Sequence, residues 1–193
     1  TQKLTRLVDN ILDLARFESG HHMLKFARID VVELTRETLE SFKPRLDHAG
    51  FRVETDLPEG LPPARADAIA MSHCLLNLLD NAVKYSKDDR VIRVSAGQHD
   101  GMVEIAVADR GIGVAPGDRR RIFEKFVRVE DGLVHDVKGA GLGLALVDQI
   151  MRAHGGRVDV SGNPGGGSIF KLVLPMAEGA EVSRQDSGAA TGS

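Results

Sequence analysis

Tryptophan is absent from these 193 residues, tyrosine occurs once, and aromatics make up only 4% of a chain that is 42% hydrophobic. The interior must therefore be filled by aliphatic side chains, enough for one sizeable core with appendages. An excess of charge of one sign is also missing: 25 basic and 28 acidic residues leave a net charge of -3, so no overall field draws the chain to nucleic acid or to an anionic membrane surface. Any nucleotide has to be held locally. The single cysteine, Cys74, excludes an internal disulfide; it lies in an apolar helical run, where a buried inert thiol in a reducing cytoplasmic compartment is the plain reading. No apolar stretch approaches the length that spans a bilayer and no signal-peptide pattern opens the chain, which points to a soluble piece whose parent protein need not be soluble.

What is present divides into periodic segments. Residues 1–18 place Leu4, Leu7, Ile11 and Leu14 at alternating steps of three and four, a helix that needs a bundle partner, and the lack of a capping signal before it suggests that it continues a longer helix. Asp30 followed by Glu33 is a carboxylate relative of the capping box, and the helix it opens should run to about His48 before Gly50 stops it. A strand over 51–57 follows, then a connection rich in proline (Pro58, Pro62, Pro63). Asp67 can cap a long helix over 68–86, apolar at Met71, Leu75, Leu78, Leu79, Ala82 and Val83. Strands over 91–96 and 102–108 flank an Asp100-Gly101 turn, and a short helix is expected around 119–126. Residues 127–140 lack periodicity and read as a mobile loop; a helix over 142–154 and strands over 157–161 and 168–174 complete the pattern, before a small, polar tail over 176–193 that reads as disordered. Segregated strand pairs between helices argue for an α+β fold in which a mixed sheet is covered on one face by helices.

Three constellations carry chemistry. Asn77, Asn81 and Lys84 are spaced four and three apart, stacking two carboxamides and an ammonium on one helical face opposite the leucines. A carboxamide oxygen can ligate Mg²⁺ without adding a negative charge that repels a polyphosphate, although a solvated polar face would show the same spacing. Val103, Ile105, Val107 and Asp109 alternate at period two, so Asp109 ends a strand on its buried side, half buried itself. There an acceptor-only carboxylate can take a hydrogen bond from the exocyclic amine of adenine, and Gly111 and Gly113 let backbone pass close to a flat base; a plain turn after a strand is the other reading. Gly139-Ala-Gly141-Leu-Gly143-Leu144 precedes a helix, where free amides and the positive end of the dipole suit phosphate oxygens. The dinucleotide fingerprint fails because Leu144 stands where the third glycine belongs, and no Gly-x-x-x-x-Gly-Lys-Ser/Thr string exists.

Together these strings resemble sensor histidine kinases. Asn77-Leu-Leu-Asp-Asn81-Ala-Val-Lys84-Tyr85 resembles the N box, Asp109-Arg-Gly-Ile-Gly113 the first glycine box, Ile122-Phe-Glu-Lys-Phe126 the F box and Gly139 to Leu144 the second glycine box, in the family's order and spacing. Gly165-Gly166-Gly167-Ser168 is similar to the last glycine-rich turn, and Thr5-Arg6-Leu7-Val8-Asp9-Asn10 onward to the end of the second dimerisation helix. The resemblance implies residues 1–20 as the end of that helix, 21–175 as a catalytic ATP-binding domain and 176–193 as a tail. It implies a two-layer α/β sandwich of the Bergerat type, shared with gyrase and mismatch-repair ATPases.

Position by position, it implies Asn81 on Mg²⁺, Asn77 and Lys84 on phosphate or metal-bound water, Tyr85 along the nucleotide and Asp109 on adenine N6. Gly111 and Gly113 would line the base pocket. Gly139, Gly141, Leu142, Gly143 and Leu144 would lie along the phosphates, Phe123 and Phe126 would anchor a lid, and Arg128 in that lid would meet the γ-phosphate. The implied cofactors are ATP and Mg²⁺. The implied partners are a second copy through the N-terminal bundle helix and the receiver domain of a response regulator, and the implied setting is cytoplasmic, with a parent anchored in the inner membrane as one arrangement. None of the seven histidines begins a His-(Glu or Asp)-Leu-x-Thr-Pro string, so the parent enzyme is expected to phosphorylate itself on a histidine that this chain lacks. A conformational ATPase and an ATP-binding relative without catalysis remain as alternatives. An anti-sigma-factor kinase would lack the amphipathic helix that Leu4 to Leu14 forms.

Overall fold

The computed structural model describes residues 24–86, 89–127 and 141–177. The segments expected as a dimerisation helix and as a tail, Met176 and Ala177 apart, lie outside them, as do Arg128, Gly139 and nearly all of the expected mobile loop.

The elements run β1 (Ala27–Ile29), α1 (Val31–His48), β2 (Arg52–Asp56), β3 (Ala64–Ala66), α2 (Ala68–Tyr85), β4 (Val91–His99), β5 (Met102–Ala108), α3 (Gly143–Ala153), β6 (Arg157–Gly162) and β7 (Ser168–Pro175). Both acidic caps form as expected. Asp30 Oδ1 accepts from the N–H groups of Val32 at 2.8 Å and Glu33 at 3.2 Å, and Asp67 Oδ1 accepts from that of Ala70 at 3.0 Å. Gly50 takes a φ of 69° just past α1, and Asp100 and Gly101 take 49° and 74°, the left-handed pair that a two-residue hairpin turn requires.

Five strands form one mixed sheet in the order β2-β4-β5-β7-β6, with β2 and β4 parallel and every other pair antiparallel. The register aligns Val94, Val107, Phe170 and Val160 in one row and Ile105, Leu172 and Val158 in another. Against these rows pack α2, through Met71, Cys74, Leu75, Leu78 and Leu79, and α3, through Leu146, Val147, Ile150 and Met151. Each fully buried leucine contributes roughly 1.5–3 kcal/mol relative to exposure, so these stripes fix the helices on the sheet. The mixed sheet covered by helices that the strand pairing argued for, and the two-layer α/β sandwich that the resemblance implied, are the fold.

Besides β4, which runs to His99 rather than Ala96, two features differ from the sequence reading. The short helix expected around 119–126 is replaced by two single 3₁₀ turns, Pro116–Asp118 and Arg121–Phe123, because an eight-residue segment without a side-chain cap cannot offset the cost of helix nucleation. A second, two-stranded sheet also forms, β1 against β3, which closes the proline-rich connection back onto the segment before α1.

Candidate functional site

The site grows from the C-terminal half of α2. Asn77, Asn81 and Lys84 lie on one helical face, each half-buried, while Leu75, Leu78 and Leu79 on the other face are buried. Asn77 donates through Nδ2 to the carbonyl of His73 at 3.0 Å, and its Oδ1 would lie only 2.9 Å from a Cβ added to Gly143. The first carboxamide thus touches the first turn of α3. No hydrogen bond is found to the Asn81 carboxamide among the described residues, so it is open to a ligand. Lys84 Nζ lies 5.6 Å from the centroid of the Tyr85 ring, a cation–π pair at the end of the helix.

The loop after β5 is stitched to that helix end. Ile112 N–H donates to the Tyr85 carbonyl at 3.2 Å, and Ser86 and Gly111 form an antiparallel bridge. A Cβ at Gly111 would stand 2.3 Å from the Tyr85 oxygen, so only glycine permits this approach. On the other side of the loop, the glycine-rich turn before β7 closes in. A Cβ at Gly167 would lie 2.1 Å from the Asp109 carbonyl oxygen, and the Asn163 side chain donates to that oxygen at 2.8 Å. Gly113, at φ 74°, passes under the Gly167 carbonyl.

Asp109 is more buried than its strand-end position predicts, only 6% exposed. Its Oδ1 accepts from the N–H groups of Gly111 at 2.8 Å and Ser168 at 3.3 Å. Among the described residues no hydrogen bond is found to Oδ2, which remains an acceptor. Burial pushes the carboxyl above the usual range, and the two amide bonds pull partly against it.

The third wall is the start of α3. Its N-cap, Leu142, supplies no side-chain hydrogen bond, so the first-turn amides are left to water or to an anion. Gly141, at φ 68°, accepts from the N–H of Phe126 at 3.1 Å, tying the segment after the second 3₁₀ turn to the start of this helix. Phe123 packs against the core, but the ring of Phe126 is 73% exposed. Of the two rings expected to anchor a lid, that of Phe123 is thus packed on the core and that of Phe126 is exposed, Phe126 being held through its backbone N–H. Leu144 is half-buried and packed on the core beside the open amides.

Sequence reasoning passed over one polar group in this half of the molecule. His154, immediately after α3, is 4% exposed and hydrogen-bonded on both ring nitrogens, to Asp67 and to Ile150. The Gly155-Gly156 pair after it was the available signal, since a Cβ at Gly156 would stand 2.3 Å from the Val173 carbonyl.

Among the described residues no cluster of three His, Cys, Asp or Glu side chains could hold a metal ion by itself, and no helix is long and apolar enough to cross a membrane. A cation here would have to be shared between a carboxamide and a bound anion. The open amide of Asn81, the free Oδ2 of Asp109 and the uncapped start of α3 fit a magnesium-bound nucleoside triphosphate.

Comparison with known proteins gives a consistent picture. Residues 66–178 match the model of the Histidine kinase-, DNA gyrase B-, and HSP90-like ATPase family. The chain is 34% identical over 173 residues to the sensor-like histidine kinase SenX3 of Mycobacterium tuberculosis, covering 90% of this chain and 42% of that protein. It is 35% identical over 178 residues to the sensor protein KdpD of Escherichia coli, covering 92% of this chain and 19% of that one. Among solved structures, full-length ShkA in complex with AMPPNP superimposes with a TM-score of 0.78 at 36% identity, over 90% of this chain and 36% of the other. The chain thus spans less than half the length of these relatives.

Proposed function

Because the chain belongs to the histidine kinase-, DNA gyrase B- and HSP90-like ATPase family, we propose that it is the ATP-binding catalytic domain of a sensor histidine kinase, which holds Mg-ATP for transfer of the γ-phosphoryl group to a histidine outside this chain. The observation that carries the reading is that the half of α2 bearing the open carboxamide of Asn81 meets both the uncapped start of α3, through Asn77 at Gly143, and the loop after the buried carboxylate Asp109, through Tyr85 at Gly111.

In this reading Asp109 Oδ2 accepts from adenine N6, and guanine, with a carbonyl at that position, is rejected because two acceptors would face each other in a buried site. The first-turn amides of α3 take phosphate oxygens, with Gly141 and Gly143 admitting them close to backbone. Asn81 would hold Mg²⁺, which neutralises charge on the phosphates, and Lys84 and Tyr85 would flank it. Arg128 and Gly139 keep the roles the resemblance implies, at the γ-phosphate and under the phosphates. Phosphoryl transfer asks mainly for positioning and charge neutralisation. An imidazole nitrogen attacks the γ-phosphorus, a P–N bond forms, the bond to the bridging oxygen breaks, and ADP leaves.

The same reading assigns residues 1–20 to the end of a dimerisation helix, 21–175 to the catalytic domain and 176–193 to a tail. It makes a second copy and a response-regulator receiver domain the partners, and places the chain in the cytoplasm, with the parent kinase anchored in the membrane.

Calorimetric titration with ATP and magnesium tests it. The intact chain should bind, and Asn81→Ala should lose at least about tenfold in affinity with magnesium, as expected when about 1.4 kcal/mol or more of ligation is removed, while its circular dichroism is unchanged. Equal magnesium-dependent affinity in the variant, or equal affinity of the intact chain for ATP and GTP, contradicts the assignment.

A further inference from the structure

The residue that the nucleotide chemistry leaves unused is His154. It is buried, yet both ring nitrogens are bonded: Nδ1 lies 2.7 Å from the carbonyl of Ile150, one turn back on α3, and Nε2 lies 3.0 Å from the backbone nitrogen of Asp67, the N-cap of α2. A carbonyl can only accept and an amide N–H can only donate, so the ring carries its proton on Nδ1 and is neutral. The same Asp67 caps α2 with Oδ1 and with Oδ2 accepts from Lys25 N–H at 2.7 Å, while the ring of Phe26 meets His154 edge-on, with centroids 5.0 Å apart. One imidazole therefore joins the end of α3, the start of α2 and the segment leading into β1.

The position matters because α2 and α3 touch a second time, at the nucleotide end, where Asn77 abuts Gly143. From Asp67 to Asn77 along α2 is about 15 Å, and from Gly143 to His154 along α3 about 16 Å, at 1.5 Å per residue. The two helices are thus fixed to each other at both ends of a closed frame of matched sides. The gap between the Asn81 carboxamide and the first-turn amides of α3 is set by that frame.

We propose that His154 is a positioning residue for Mg-ATP: neutral and protonated on Nδ1, it holds α3 in register with α2, and its protonation releases that register. The proposal rests on the nucleotide-binding reading above. A charged imidazole would need a hydrogen on Nε2, directed at the Asp67 N–H, and the acceptor would be lost. Burial lowers the proton affinity of the ring, while the bond to Ile150 and the Asp67 carboxylate act in the opposite direction. Besides the Asp67 carboxylate, the charged groups on the elements that meet here include Lys25, Arg28, Arg65, Arg152 and Arg157, of which Arg65 reaches the ring's neighbour Phe26. Arg65 stacks on Phe26, Arg152 pairs with Asp148, Arg157 pairs with Asp159, and Lys25 meets Asp67 through its backbone N–H.

Two substitutions in the full chain separate the ring's bonds. His154→Gln places an amide oxygen at the reach of Nε2, keeping an acceptor for Asp67 N–H that does not titrate; His154→Asn keeps the Nδ1-like donor to Ile150 and cannot reach Asp67. At pH 7.5, His154→Asn should bind Mg-ATP roughly five- to tenfold more weakly than the parent while remaining folded, the cost of one buried unsatisfied amide, and His154→Gln should bind within about twofold. Between pH 7.5 and 5.5 the parent's affinity should fall more steeply than that of His154→Gln, in which ATP and every other group titrate alike. Full affinity of His154→Asn, equal weakening in both variants, or parallel pH profiles overturns the proposal. If the parent itself binds no nucleotide, the nucleotide reading fails instead, and ¹⁵N shifts of His154 still decide the junction: a ring that stays neutral and protonated on Nδ1 until the pH falls below 6.5 supports it, and an Nε2–H ring refutes it.

Discussion

Replacing Gly111 by alanine tests the least replaceable backbone contact in the site. A methyl group there would stand 2.3 Å from the Tyr85 carbonyl oxygen, 2.7 Å from its carbon and 3.0 Å from Asp109 Oδ1. Ordinary carbon–oxygen contact begins near 3.4 Å, so relief needs a displacement of about 1 Å, and no flexible side chain can absorb it because the nearest atoms are backbone. The shift breaks the Ile112 N–H bond to Tyr85, 3.2 Å long, and disturbs the Gly111 N–H bond to Asp109, 2.8 Å long. One lost backbone bond costs about 1 kcal/mol, and a weakened bond to a buried carboxylate with residual strain adds a similar amount, so about 2–3 kcal/mol of stability is at stake. Urea unfolding measures that loss, and calorimetry should find ATP affinity reduced at least about tenfold, since the loop that presents Asp109 moves off the end of α2. Gly117→Ala is the control: nothing lies within 4 Å of its added methyl and its φ is not positive, so its stability should stay within about 0.5 kcal/mol. A Gly111→Ala protein as stable and as competent in ATP binding as the parent would show that the loop and the helix end do not meet as described.

Other substitutions probe the buried acids and the thiol. Asp109→Asn keeps an Oδ1 acceptor for Gly111 and Ser168 but offers an amine where adenine N6 needs an acceptor, so ATP affinity should drop at least about tenfold while stability holds or rises by about 1 kcal/mol. The sign follows from a carboxyl raised by burial: its cost to the fold is full above its folded pKa and vanishes as pH falls below the unfolded value, so the advantage of the variant in urea melts should shrink in acid. Asp67 behaves in the opposite way. Burial alone would raise its carboxyl, but the N–H groups of Ala70, Lys25 and Ile69 together outweigh burial and hold it below the usual range. Asp67→Ala should therefore cost about 1–2 kcal/mol near neutral pH, a difference that closes as pH falls through the depressed native value. Cys74 is fully buried with its thiol pushed far up by desolvation, so labelling by a thiol reagent should follow global unfolding; rapid modification of the native chain would contradict that burial.

The positions proposed for nucleotide binding were legible because each sits at the end of a regular element whose period the sequence shows. Alternation through Val103, Ile105 and Val107 put Asp109 on the buried side of its strand, and the leucine stripe of α2 forced Asn77 and Asn81 to the opposite face. The caps at Asp30 and Asp67 and the Asp100-Gly101 turn were equally visible, since local hydrogen bonding and sterics decide them. Long-range pairing was not. Nothing periodic in Ala64-Arg65-Ala66 marks it as a strand, because its partner at Ala27–Ile29 lies beyond the whole of α1 and both strands are three residues long. His154 was passed over for a related reason: its partner Asp67 is 87 residues away, and a single histidine at a helix end carries no spacing that reveals what it meets.

The distribution of glycine bears on how recognition in the proposed site divides between backbone and side chain. At Gly111, Gly143 and Gly167 an added Cβ would come within 3 Å of Tyr85, Asn77 and Asp109 respectively. Three separate segments are thus drawn together until main chain meets main chain or a carboxamide, a spacing that any larger residue would prevent. Backbone amides positioned in this way cannot distinguish one phosphate from another, so in the proposed site discrimination would fall to side chains. Asp109 is a buried acid just past the end of β5, held by two amides on one oxygen with the other left over. A ligand that satisfies Oδ2 with an N–H removes the remaining unmet acceptor of a desolvated carboxylate, whereas one that presents a carbonyl adds a second acceptor against it. That asymmetry requires the preference for ATP over GTP to arise at Asp109 and to be lost in Asp109→Asn. A variant that still distinguished the two nucleotides as well as the parent would move the source of selectivity to another wall of the cleft.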